Sequence, residues 1–359
     1  MTEQDGLILD RSLMEDLGAR LERDMAGVAA LGLIYLGDRL GLFAALRNGG
    51  PATATELAAR TGLVERYVRE WLSGMAAAGY LRYDAPAQRF SLTAEQAAYL
   101  ADPDSASFTA PTAQYVLKIL EQADAVGAAF RHGGGVPYSA YDMGVTEGFE
   151  RSALATFRNS LVQTWLPALP GVVEALEAGG SMLDVGCGGG GACLTVAQAF
   201  PHARVAGIDA HPPAVERAQS AATAAGLGDR VTFTVMRAED LPATPAYDLV
   251  TTFDVVHDLA DPVGALRSIR RVLKPDGAYL MMDPNAADTL EGNLSTQGQF
   301  FYWVSVYYCL TVSLAQAGVG LGTCMGEARA RELAAEAGFS SFRRLPIEDG
   351  WNALFDLRP

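Results

Sequence analysis

Met182-Leu183-Asp184-Val185-Gly186-Cys187-Gly188-Gly189-Gly190-Gly191 decides how this chain is read. Apolar residues and an acid run into consecutive glycines, and a helical pattern begins immediately after. This is a strand that turns tightly into a helix. Glycine suits such a turn because a Cβ would obstruct both the bend and a ligand lying against the backbone. A glycine loop alone is weak evidence, since many nucleotide sites share it. A second stretch, Val205-Ala206-Gly207-Ile208-Asp209, ends in another acid about 20 residues further on, where a doubly wound sheet grips a ribose diol.

Strand and helix patterns alternate from Ser181 onward, the sign of a mostly parallel sheet covered on both faces. Strands are expected at 181–186, 204–209, 231–236, 247–253, 277–283, 341–345 and 351–357. Helices are expected at 190–200, 213–226, 262–274 and 327–337. The final pair of strands lacks a helix-length crossover, so the last strand should be antiparallel. The fold class is therefore α/β, a Rossmann-like seven-stranded sheet with its last strand antiparallel. An insertion at 284–326 interrupts the order.

The part before it is helical. Two long patterns, Leu7–Ala30 and Leu31–Leu46, come first. A short helix follows, its start marked by Thr53 and Glu56 at capping-box spacing and its end by Gly62. Val64–Ala78 places Val68, Trp71, Leu72 and Met75 on one side. Tyr80–Tyr83 and Arg89–Leu92 then make a hairpin, which completes a winged helix. The domains expected are 1–100, winged helix; 101–180, a helical connector broken at Gly133-Gly134-Gly135-Val136-Pro137; and 181–359, the sheet.

At 359 residues the chain has room for more than one domain. No stretch is apolar and long enough to cross a bilayer. The acidic first residues lack a secretion signal's basic start, so a cytoplasmic protein is expected. A net charge of −15 disfavours nucleic acid as a partner. Cys187, Cys193, Cys309 and Cys324 show no CxxC pair, and no two histidines have helical ligand spacing, so no metal is expected from spacing.

Asp184-x-Gly186-x-Gly188-x-Gly190, Asp209 and Leu273-Lys274-Pro275-Asp276-Gly277 together resemble the class I S-adenosylmethionine-dependent methyltransferases. The winged helix with Leu63–Leu72, together with Gly134–Ser139 and Val256–Pro262, narrows the likeness. The whole looks like the actinobacterial small-molecule methyltransferases that carry a winged-helix dimerisation domain. The resemblance spans nearly the whole chain. It implies S-adenosylmethionine as cofactor, with Asp184, Gly186, Cys187 and Gly188 at its methionine part. Asp209 and neighbouring Ala210 would lie at its ribose, Arg237 and Ala238 at adenine, and Phe253 and Asp254 beneath the sulfonium carbon. Many relatives carry aspartate where this chain has Arg237, so adenine recognition would rest more on the backbone around Ala238.

His257 lies just beyond the fourth strand, on the side where ligands bind in such sheets. A hydroxyl attacks a sulfonium methyl well only as its proton leaves, and histidine is suited to accept that proton. His257-Asp258 also resembles the His-Asp pair of plant-type O-methyltransferases, in which the histidine is the base. Asp258 either orients the ring or is a solvated loop acid. His132, His202 and His211 are weaker candidates.

In the insertion, Phe300, Trp303 and Tyr307 share one helical face and Phe301, Val304 and Tyr308 the next. Trp303 and Tyr307, with Tyr138, Tyr141 and Phe157, are the expected wall of an apolar or aromatic acceptor pocket. The reading is methyl transfer to a small molecule at oxygen, by a homodimer. Transfer at carbon or nitrogen stays open, as do a non-transfer use of the cofactor and a winged-helix regulator sensing a similar ligand. Charge opposes the regulator, because Glu65 and Glu70 accompany Arg66 and Arg69 on the would-be recognition helix.

Overall fold

The structure, a computed structural model, describes residues 2–4 and 7–359, with side chains from Leu9 onward. The chain forms two compact units that divide between Leu117 and Lys118.

In the first unit, Thr2–Gln4 pairs antiparallel with Leu7–Leu9, and a single helix then runs Arg11–Arg39. The two patterns expected at Leu7–Ala30 and Leu31–Leu46 are thus divided differently. Neither Ala30 nor Leu31 stops a helix, and the helix runs on through Gly27 and Gly32. Asp10 does cap one, accepting from the Ser12 and Leu13 N–H groups at 2.9 and 3.3 Å. The break falls at Gly41, whose φ is +69°, before the helix Leu42–Gly49.

Ala54–Thr61 carries the expected capping box between Thr53 and Glu56. Glu65–Ala77 buries Val68, Trp71, Leu72 and Met75, and the Trp71 indole donates to the Leu33 carbonyl at 2.8 Å. The hairpin Arg82–Asp84 with Arg89–Ser91 supplies the wing.

The second unit holds one seven-stranded sheet: β1 (Ser181–Val185), β2 (Arg204–Asp209), β3 (Val231–Val235), β4 (Tyr247–Phe253), β5 (Leu273–Pro284), β6 (Ser341–Arg344) and β7 (Asn352–Arg358). Their order is β6-β7-β5-β4-β1-β2-β3. β7 runs antiparallel to both neighbours, and the other pairings are parallel. β5 starts earlier than expected. Leu273 already pairs with Tyr247, and Lys274-Pro275-Asp276-Gly277 bulges out before pairing resumes at Ala278 opposite Leu249.

One face of the sheet buries Met182, Val205, Leu249 and Leu280 against the helices Gly191–Ala199 and Pro212–Ala224. The other buries Leu183, Val250 and Met281 against Pro262–Val272 and Gly326–Ala337. Because β1 sits between β4 and β2, crossovers leave it in opposite directions. The crevice this opens lies at the carboxyl ends of β1, β2, β4 and β5.

Within residues 101–180, the helices Ala123–His132 and Met143–Thr156 and the π-helical Phe157–Trp165 belong to the sheet's unit. The insertion forms one long helical run, Thr296–Val304, a π-helical turn Ser305–Cys309, and Leu310–Ala315. The Gly133–Pro137 loop docks on it. The Val136 N–H donates to Thr311 Oγ1 at 2.8 Å, and a Cβ on Gly135 would lie 1.9 Å from the Thr311 carbonyl oxygen, so only glycine fits.

Among the described residues no single helix is long and apolar enough to cross a membrane.

Candidate active site

The glycine loop leaves β1 with Gly186 at φ +74°, where a Cβ would also strike Val255 at 2.5 Å. The Gly186 and Cys187 N–H groups both donate to the Ile208 carbonyl, which folds the loop back over β2. Asp209 closes this arrangement. One carboxylate oxygen accepts the Gly188 N–H at 2.9 Å, and the other accepts the His211 N–H at 2.8 Å. Each oxygen keeps a lone pair for an incoming donor. The carboxylate is thus held in one orientation with an open acceptor position on each oxygen.

Ala210 follows directly. The His211 ring lies edge-on to Tyr138, with centroids 4.8 Å apart, and its buried Nδ1 has no hydrogen-bond partner. The sequence ranks His211 among the weaker histidines; its place two residues after Asp209 is the signal that raises it. Glu150 and Arg217 are not marked by the sequence at all. They pair at 2.6 Å, with the Glu150 carboxylate against Gly188 and Gly189.

Asp184 is buried inside β1. It accepts from Thr251 Oγ1 at 2.7 Å and faces the Cys193 thiol. Burial pushes its carboxyl up to about 7, and the Asp209 charge adds to the rise. An unfolded aspartate titrates near about 3.9. Between those values the folded chain holds a proton that the unfolded chain has lost, so this group's contribution to stability falls as pH rises from about 4 to 7. Asp184→Asn is therefore expected to flatten the loss of stability between pH 5 and 8, by on the order of 2–3 kcal/mol in chemical denaturation. Parallel pH profiles for variant and parent would show that Asp184 is not held protonated.

Arg237 is exposed and pairs with Glu239 at 3.3 Å, while Ala238 is packed into the core beside Leu241. Phe253 stacks against Phe157 and Trp165, with centroids 4.8 and 5.9 Å away. Phe157 is accordingly built into the sheet's core, where it supports the floor under β4. Asp254 adopts φ +56°, unusual for a residue with a side chain, and its N–H donates to the Met282 carbonyl.

Three residues on, His257 is only 3% exposed. Its Nδ1 lies 2.5 Å from Asp283 at the end of β5, and its Nε2 lies 3.2 Å from Asp258 Oδ1 without hydrogen-bond alignment. The ring is thus oriented by Asp283, which the sequence reading did not name. Asp261 caps the next helix through the Gly264 N–H. Burial pulls the His257 pKa down, but Asp258, Cys309 and Asp283 outweigh it and raise it well above the ordinary histidine value. The resting ring therefore favours the imidazolium, and it becomes a base only once that proton is gone.

The aromatic wall divides in two. Tyr138, Tyr141 and Phe149 surround Tyr308, at centroid distances of 6.0, 4.8 and 5.6 Å. The Tyr141 hydroxyl donates to the Tyr307 carbonyl oxygen at 2.5 Å. Phe300, Trp303 and Tyr307 form a separate, half-exposed ladder with neighbours 5.6 and 5.9 Å apart. The ring that meets Tyr138 and Tyr141 is therefore Tyr308, with Trp303 and Tyr307 outside that cluster. Burial, with the Asp209 charge second, pushes the Tyr138 phenol far up, so it stays neutral.

A carboxylate fixed by two backbone N–H groups, a tight glycine turn and a buried His–Asp pair at adjacent strand ends form one constellation. Residues 176–349 match the family model described as a methyltransferase domain, and residues 28–102 match the Rv2258c-like winged HTH domain. The chain carries a methyltransferase domain. The O-methyltransferase aclM of Aspergillus oryzae is 30% identical over 223 residues, which are 55% of this chain and 48% of that protein. The chain spans about half the length of the curated relatives it matches, or less. The solved structure of the mitomycin 7-O-methyltransferase MmcR is similar, with TM-score 0.70, 23% identity and coverage of 97% of this chain and 99% of that one. Human N-acetylserotonin methyltransferase, solved in complex with SAM, gives TM-score 0.69 at 19% identity, covering 98% of each. These structural likenesses establish the fold of the methyltransferase domain and of the unit ahead of it.

Proposed function

We propose that this chain transfers a methyl group from S-adenosylmethionine to an oxygen of a small, apolar or aromatic metabolite, with His257 as general base. The observation that carries the reading is the buried His257–Asp283 pair at the strand ends beside the glycine loop. When bound, the cofactor supplies an electrophilic methyl group on a sulfonium.

The residues present fit that group. Asp209 offers a free lone pair on each oxygen for the ribose hydroxyls, and Gly186–Gly190 admit close approach of the methionine part. Asp184, buried against Thr251 and Cys193, would brace the loop beneath the amino end rather than touch it, while Arg237 and Ala238 would face the adenine and Phe253 and Asp254 the reacting carbon. Asp283 fixes the ring so that Nε2 meets the acceptor; the resting imidazolium first gives its Nε2 proton to solvent, and the freed Nε2 then takes the hydroxyl proton as the oxygen attacks. Tyr138, Tyr141 and Tyr308 keep water away and hold a flat acceptor in line, which supplies much of the rate. Methyl-labelled cofactor and a panel of phenols, matched amines and activated carbon acids test the reading. Label on phenols supports it, and label only on amines or carbon acids overturns the assignment to oxygen.

The dimer belongs to the same proposal. Leu13, Leu17, Leu21, Met25 and Val28 of the helix Arg11–Arg39 are each more than half exposed and recur at three- and four-residue spacing. A second copy is the proposed partner. Leu17→Asp with Leu21→Asp is expected to turn a dimer into a monomer by sedimentation velocity; an unchanged profile would place the contact elsewhere. Arg66 and Arg69 pair with Glu70 and Glu65 within their own helix, which supports an enzyme over a DNA reader.

A further inference from the structure

We propose that His257 Nε2, Asp258 Oδ1 and Cys309 Sγ form a three-donor site for a divalent cation of the zinc class. The three ligand atoms all lie within 4.8 Å of one another, although Cys309 belongs to the insertion and the other two follow β4. Nitrogen, sulfur and carboxylate oxygen together suit zinc, whereas magnesium and calcium want oxygen donors.

Two further observations point the same way. A metal-bound histidine usually donates its other ring N–H to a carboxylate, and Asp283 stands 2.5 Å from Nδ1. Asp258 Oδ1 is buried with no hydrogen-bond partner and sits 3.2 Å from Nε2. A proton alone leaves that oxygen unaligned, while a metal ion would engage it directly. Three protein donors leave a fourth tetrahedral position for water or another small ligand.

Binding replaces the proton on Nε2 and the proton on the Cys309 thiol, and both pass to solvent. The ion then occupies the lone pair that an acceptor's proton would need, so metal arrests methyl transfer. That consequence rests on the base assignment above; the binding does not.

The test uses the full chain stripped with a chelator and titrated with zinc alone by calorimetry, and with cobalt followed by absorption. The expected result is one ion per chain, heat that varies with buffer ionisation, and a thiolate-to-cobalt charge-transfer band. Cys309→Ser should abolish the band, and Asp258→Asn should weaken binding by about tenfold or more. No binding, or binding that survives both substitutions, overturns the site. Zinc bound with methyl transfer unaffected would keep the site and remove His257 as the base, so the two ideas fail separately.

Discussion

Replacing His257 by alanine is expected to lower kcat/KM for methyl transfer by about 10²- to 10⁴-fold, the range supplied by one positioned proton acceptor. Cofactor affinity should change little, because the proposed cofactor contacts are those of the glycine loop and Asp209, which do not use the ring. Most of the loss should fall on kcat, since proton removal matters in the transition state more than in the ground state. His257→Gln separates basicity from shape: it keeps hydrogen-bonding groups yet cannot take a proton at neutral pH. Activity in the glutamine variant near that of the parent would contradict a base and leave a positioning role. Asp283→Asn should act in the same direction but less strongly, because it frees the ring's orientation and leaves the imidazole in place.

The second large effect is expected at Asp209. Its carboxylate is fixed by the Gly188 and His211 N–H groups, so alanine removes the charged acceptor and also leaves two donors without it. A hydrogen bond to a charged group is worth about 1.5–3 kcal/mol. Losing those made by both ribose hydroxyls should weaken S-adenosylmethionine by on the order of 10²-fold or more, measured by calorimetry. Asp209→Asn keeps one acceptor oxygen and should fall between the two. Loss of the whole fold would appear in circular dichroism and must be absent for the comparison to count. Affinity unchanged within about twofold in a folded Asp209→Ala variant would mean that no ribose is held there.

Much of the architecture was legible because hydrophobic period and punctuation agree in β1 to β4. The strand ends at Val185, Asp209, Val235 and Phe253 all fall within one residue of where the pattern places them. The N-terminal helices were divided wrongly because nothing between Ala30 and Leu31 stops a helix, whereas Gly41 at positive φ does. β5 was begun late because Lys274–Gly277 has turn chemistry, and a turn inside a bulge looks the same as a turn before a strand.

Site residues on one loop could be named from the sequence, as with Gly186 and Gly188 or His257 and Asp258. Partners that meet only through the sheet could not. Asp283 arrives from the neighbouring strand, and Cys309 from a π-helical turn that shifts the 3.6-residue spacing. Phe157 was put in the acceptor wall because an aromatic stripe does not disclose which side of the floor it faces.

Calorimetric titration of S-adenosylmethionine and S-adenosylhomocysteine into the purified, folded chain tests the central claim most directly. The account predicts that both bind saturably, one per chain, and that Asp209→Ala weakens both. Absence of binding by either compound at millimolar concentration would contradict it.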